Sequence, residues 1–106
     1  MTGGDRDLQL KMMEIMMEET PAELALLQQH LNAQNWDGIR AVAHKMKSGI
    51  QYLGLTDVLH LVKDIELNTK EKTNLDLLPE KINTVVLSCE PALSQLKLAF
   101  EKIQQQ

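Results

Sequence analysis

A chain of 106 residues can build one hydrophobic core but not two, so it reads as a single domain over residues 1–106. It is 43% hydrophobic but only 3% aromatic, and Leu and Met do most of the filling, which favours helices over sheets. A net charge of −4 argues against nucleic acid as a partner, and no run approaches the roughly 18 apolar residues that span a bilayer.

The periodicity predicts a first helix over about Asp5 to Glu19, with Leu8, Met12 and Ile15 or Met16 on its inner face. Four of the six methionines lie here, and at this spacing they read as pliable core. The N-terminal end is acidic and polar, unlike a secretory leader, so a cytoplasmic address is expected. Thr20-Pro21-Ala22-Glu23 then reads as a helix start, with Thr20 as cap, Pro21 at the first helical position and Glu23 closing a capping box. A second helix follows to about Ala33 on a stripe of Leu24, Leu27 and Leu31, with His30 expected to be solvated.

Asn35 is the expected cap of a third helix, and Trp36, the only tryptophan, is expected to plug the end of the core. The stripe of this helix is Ile39, Ala43, Met46, Ile50 and Leu53. Gly49 inside it points to close approach by another backbone. Gly54 suits the left-handed position that ends the helix, and Thr56 is the expected cap of a fourth, with Val58, Val62 and Ile65 inward. So short a turn makes the two helices an antiparallel hairpin. Lys70 to Asn74 reads as a loop. A last helix starts near Asp76 to Pro79 and runs to about Gln104, with Ile82, Val85 or Val86, Cys89, Leu93, Leu96, Phe100 and Ile103 inward and a bend at Pro91. Cys89 is the only cysteine, which excludes a disulfide framework and leaves it as a small core residue.

His44 lies off the apolar stripe of the third helix, on a face made of Asp37, Arg40, His44, Lys47, Ser48 and Gln51. From Trp36 to Leu53 there are three bases, Arg40, Lys45 and Lys47, against one acid, Asp37, so an acidic chain carries a basic island around a histidine. The hairpin pivots near Leu55. His44 is eleven residues before that pivot and Glu66 eleven after it, so both stand ~16 Å from the turn at 1.5 Å per residue. Glu66 is thereby placed to accept a bond from one ring nitrogen of His44, leaving the other unprotonated and outward. A neutral imidazole so held is a nucleophile at neutral pH, and Lys47, with Lys63 one turn nearer the pivot on the facing helix, offers positive charge to an incoming phosphoryl group. There is no glycine-rich phosphate loop, no kinase or ATP-binding motif and no acidic metal cluster. His30, His44 and His60 could be read as metal ligands, and His60 and Asp64 do sit at i, i+4, but no matching pair faces them, so no metal is expected.

The stretch Ala43-His44-Lys45-Met46-Lys47-Ser48-Gly49, with Gly54 ten places after the histidine, resembles the signature of histidine phosphotransfer (HPt) domains. Glu18-Glu19-Thr20-Pro21 and Asn35-Trp36-Asp37 extend the resemblance, which covers about Asp7 to Gln104. It implies an all-α fold, an antiparallel four-helix bundle with an additional N-terminal helix. It further implies that His44 carries phosphate on Nε2, that Lys47 assists the phosphoryl group and that Glu66 bonds the other ring nitrogen. The family usually has Gly where this chain has Ser48, a position where a large side chain would block a docking partner.

The function so implied is that of a phosphorelay intermediate, carrying a phosphohistidine rather than acting as a stand-alone enzyme. Phosphate would come from an aspartyl phosphate on a response-regulator receiver domain, often part of a hybrid sensor histidine kinase, and pass to another receiver aspartate. The chain would need no cofactor of its own, Mg²⁺ being supplied by the receiver, and would act as a monomer. Arg40, Lys45, Ser48, Gln51 and Lys63 are the expected docking residues, a basic rim suited to an acidic pocket. The alternative is a helical adaptor that docks receivers without transferring phosphate.

Overall fold

A computed structural model describes residues 2–105 and the side chains of residues 5–105; Met1 and Gln106, the ends of the domain read from the sequence, lie outside them. Four α-helices account for almost all of this span: α1, Thr2–Asn32; α2, Trp36–Tyr52; α3, Thr56–Glu71; and α4, Leu78–Gln104, entered through a 3₁₀ turn at Leu75–Leu77. No strand forms among the described residues. The fold is all-α, as composition and periodicity require.

α1 packs on α2 and α4, and α3 packs on the same two helices. The core they enclose is Leu24 and Leu27 from α1, Ile39, Val42, Ala43, Met46 and Ile50 from α2, Val58, Val62 and Ile65 from α3, and Leu78, Ile82, Val85 and Cys89 from α4. Every helix thus contributes an i, i+3/i+4 stripe, and Trp36 packs half-buried against its end. Burial pushes the Cys89 thiol up to about 11, which leaves it an inert core residue.

The local signals around α2 act as the sequence predicts. Asn35 caps it, its Oδ1 accepting from the Gly38 amide at 3.0 Å. At its other end Gly54 adopts φ +74°, the Gly54 amide donates to the Gln51 carbonyl at 3.0 Å, and the Leu55 amide donates to the Ile50 carbonyl at 3.3 Å. This is a Schellman turn, and it folds α3 back along α2.

Three expectations are corrected. No helix break occurs at Thr20-Pro21: α1 runs on through the proline, so the separate N-terminal helix is instead the first half of one helix of 31 residues. Thr20 (2% exposed) and Glu23 (8%) lie buried against the neighbouring helices and form no capping box. Pro21 itself is exposed, so its missing amide affects only the solvent side while packing on the other side carries the helix across. Continuity resets the phase of the first half, because Met13 is in register with Thr20, Leu24 and Leu27. In this half Met13 is therefore the buried methionine (4% exposed), whereas Leu8 (63%) and Met12 (37%) face out. Finally, Leu55 and not Thr56 occupies the cap position of α3, with no side-chain cap bond; Thr56 is the first residue of the helix.

The helices differ in length, and the molecule is elongated, 49 × 22 × 22 Å. The α2–α3 turn sits beside Ser88, since Gly54 to Val58 and Ser88 line one shallow hollow. Beyond that level the start of α1 and the end of α4 continue together. They are tied by Arg6, whose guanidinium donates to the Ile103 carbonyl at 2.8 Å and the Gln104 carbonyl at 3.1 Å, satisfying acceptors that a helix end leaves open.

Candidate functional site

The hairpin brings His44 and Glu66 to the same height, as the count about Leu55 predicts. The His44 Nδ1 lies 2.5 Å from Glu66 Oε2. An ionised carboxylate can only accept, so Nδ1 carries the proton and donates it. The second carboxylate oxygen, Oε1, accepts from Lys47 Nζ at 2.7 Å. One carboxylate therefore holds two partners, one on each oxygen. Lys47 is one turn beyond His44 on the same face of α2, and Glu66 reaches both from α3.

The exposures of these side chains are graded: Glu66 is 20% exposed, Lys47 30% and His44 70%. The carboxylate forms the floor and the imidazole stands out into solvent. The bond from Lys47 holds the Glu66 carboxyl below the usual carboxylate range, His44 adds to the effect, and partial burial opposes it. Glu66 is consequently charged throughout the neutral range and fixes the tautomer of His44. With Nδ1–H so engaged, Nε2 is the nitrogen with a free lone pair.

Behind Glu66, Thr69 is buried and its hydroxyl is satisfied within α3, donating to the Ile65 carbonyl at 2.8 Å and the Glu66 carbonyl at 3.0 Å. Asn68 is buried and accepts from Lys81 at 2.9 Å, which locks α3 onto α4 at the same level. The site is thus mounted on the part of the molecule where four helices meet.

His44 and Glu66 also line a recess of ≈ 420 Å³ together with Asp37, Arg40 and Ala41. Arg40 is exposed, one turn before His44. Ser48 and Gln51 are exposed on the following turns of α2. Lys45 is exposed and turned to the α1 side, close enough to Glu23 to act on its carboxyl. Lys63 is exposed on α3, outside the recess. The site residues read from the sequence therefore divide: His44, Lys47 and Glu66 are joined, Arg40 shares a recess with His44 and Glu66, and Lys45 and Lys63 stand apart.

Gly49 and His30 behave differently from expectation. Gly49 is approached by a side chain rather than a backbone: a Cβ there would lie 3.1 Å from Met16 Sδ. His30 is half-buried rather than solvated. It abuts Gly38, where a Cβ would lie 2.6 Å from the His30 Nδ1, and that nitrogen is 3.3 Å from the Asn35 side-chain amide. A single histidine beside a cap residue gives no periodic signal, so this contact leaves no trace in the sequence. Among the described residues no three His, Cys, Asp or Glu side chains gather to hold a metal ion, and no helix is long and apolar enough to cross a membrane.

The arrangement presents one nucleophile, a fixed tautomer and positive charge. Comparison with protein families finds that the family model described as Hpt domain matches residues 11–106. Comparison with curated proteins and with solved structures gives no match.

Proposed function

The chain belongs to the Hpt domain family of two-component signalling, and we propose that it is a phosphorelay intermediate with His44 as its phosphoacceptor. In this reading residues 1–106 form one domain, an antiparallel four-helix bundle whose extra N-terminal helix is the first half of α1. It takes a phosphoryl group from an aspartyl phosphate on a response-regulator receiver domain, such as that of a hybrid sensor histidine kinase, and hands it to another receiver aspartate. The observation that carries the reading is the His44–Glu66 bond. It leaves Nε2 as the free nitrogen of a ring that is 70% exposed on a rigid helix.

The step balances on these groups. The Nε2 lone pair attacks phosphorus, the P–O bond to the receiver aspartate breaks, and its electron pair returns to that carboxylate. Nδ1 keeps its proton, so the ring becomes a phosphorylated imidazolium, and Glu66 lies against the new positive charge. The positive ring is a good leaving group, which opens the reverse step onto a second aspartate. The chain contributes position and tautomer; Mg²⁺ belongs to the receiver, and no cofactor is required on this side.

Arg40, Ser48 and Gln51 along α2 with His44, together with Lys45 on the α1 side and Lys63 on α3, serve as the docking rim, whose positive charge speeds encounter with an acidic receiver pocket more than it tightens binding. Ser48 is small enough at its exposed position for a partner to approach. The domain acts as a monomer in the cytoplasm.

The test is transfer of labelled phosphate from phosphorylated receiver domains to this protein and to His44→Gln. Label that is acid-labile, alkali-stable and lost in the variant is the expected result. Absence of label, from receivers that charge another Hpt domain, would replace the relay with an adaptor that docks receivers without transfer. Label retained by His44→Gln would move the acceptor to another residue.

A further inference from the structure

Resting on the reading of His44 as the phosphorylated residue, we propose that Arg40, rather than Lys47, is the cation that binds the phosphoryl group on Nε2. The sequence makes Lys47 the natural choice, three residues after the histidine. The structure, however, commits its ammonium to Glu66 Oε1 at 2.7 Å. That bond uses one of its three N–H donors but holds the nitrogen at Oε1, and Lys47 does not line the recess that His44 and Glu66 share; following a phosphoryl group into that recess would strip Glu66 of its cation at the moment the same carboxylate must hold Nδ1–H.

Arg40 has no such commitment. It is one turn before His44 on the same face of α2, and it lines the same ≈ 420 Å³ recess as His44 and Glu66. Two carboxylates are nearby, Asp37 at i−3 and Glu66 across the recess. Among the described residues Arg40 is nevertheless within 4.0 Å of neither, the only ion pairs there being His44–Glu66 and Lys47–Glu66. Lys45 and Lys63, the other cations near the site, do not line the recess. Ala41, the remaining lining residue, is small and leaves room for a tetrahedral group. A guanidinium also has the right chemistry for a phosphoryl group. It stays charged at every relevant pH, and its planar fork can donate to two phosphoryl oxygens at once.

The two cations thus divide the work. Lys47 holds Glu66 charged and so positions the imidazole; Arg40 takes the charge that arrives with phosphorus. The phosphoryl group would lie on the Arg40 side of the ring, toward the start of α2, and not over Lys47.

A small phosphodonor tests this without any docking partner. Phosphoramidate transfers its phosphoryl group to an imidazole: the donor P–N bond breaks, ammonia leaves, the Nε2–P bond forms, and Nδ1 keeps its proton. Rates of His44 charging are measured for the wild type, Arg40→Gln, Arg40→Lys, and Lys97→Gln, which removes one positive charge on α4 away from the site. Circular dichroism checks that each variant is folded. Arg40→Gln is expected to charge about five- to tenfold more slowly, the scale of one charge-assisted bond at an exposed site, with Arg40→Lys recovering part of the rate and Lys97→Gln staying within about twofold of wild type. Arg40→Gln charging at the wild-type rate would overturn the proposal while leaving His44 as acceptor, and Arg40 would revert to a docking residue. A wild-type protein that takes no phosphate on His44 from phosphoramidate would overturn the underlying reading, and the role of Arg40 with it.

Discussion

The two ends of this elongated molecule are built from the same kinds of residue and packed very differently. Where α2 and α3 cover α1 and α4, fourteen residues form one buried cluster and many are 0–1% exposed. Past the α2–α3 turn only α1 and α4 continue. Their apolar residues there, Leu93, Leu96, Phe100 and Ile103 among them, are at best half-buried, and Leu8 and Leu98 are 63% and 66% exposed. A two-helix layer has one interface, so it cannot enclose a side chain on all sides. The proposed relay histidine, its carboxylate and its lysine all belong to the four-helix end, where the backbone that aims them is fixed from several directions. Precision at the site is a consequence of its place along the bundle.

Substitutions at the two ends should therefore differ in cost. The largest effect is expected from Leu27→Ala or Ile65→Ala, both 0% exposed, at about 2–5 kcal/mol of unfolding free energy in denaturant titrations. Leu98→Ala at the two-helix end should cost less than about 0.5 kcal/mol. Equal losses at both ends would mean that the two-helix end is covered in solution. Next in size, Glu66→Ala should leave the fold intact and slow phosphorylation of His44 by about ten- to a hundredfold through lost orientation. The sign of its pH dependence follows from the depressed Glu66 carboxyl. The stabilisation from its bonds to Lys47 and His44 is complete above the ordinary carboxylate range near 4.5 and is lost as pH falls through the lower folded value.

Smaller effects discriminate the ends further. Arg6→Ala removes the bonds to the Ile103 and Gln104 carbonyls and should cost about 0.5–1.5 kcal/mol. Hydrogen exchange should accelerate in the last turns of α4 and the first of α1, with protection in α2 and α3 unchanged. Glu23→Gln should act in the opposite direction. Burial raises the Glu23 carboxyl, Lys45 offsets part of the rise and Glu19 adds to it, so the ionised form opposes folding. The substitution should therefore stabilise at neutral pH by less than about 1 kcal/mol, and the gain should vanish as pH falls below the unfolded value and both states hold the proton.

Much of the four-helix end is legible in the sequence because its signals are local and mutually consistent. Asn35, Gly54 and the stripes of α2 and α3 each define a boundary or a face, and together they set the register that brings Glu66 to His44. The pairing of Lys47 with Glu66 is within reach of the same geometry, but a carboxylate already matched to the histidine does not advertise its second oxygen, and spacing alone points the lysine at phosphate. α1 is harder to read. Thr20-Pro21-Ala22-Glu23 has the residues of a helix start, and only tertiary packing of Thr20, Glu23 and Leu24 makes it the middle of a helix. A break there would free the phase of the first half, which is why periodicity turns Leu8 and Met12 inward in place of Met13. The Arg6 tie spans 97 positions and has no periodic signature at all.

The central claim is that Glu66 holds the Nδ1 proton of His44 so that phosphorus bonds to Nε2. Phosphorylating the protein and locating the group by phosphorus–proton and nitrogen–proton correlation spectroscopy tests it directly. A single phosphohistidine at His44, bonded through Nε2 with a proton on Nδ1 that Glu66→Ala exposes to exchange, is the predicted result. Phosphorus on the Nδ1 of His44, or on His30 or His60, would contradict it.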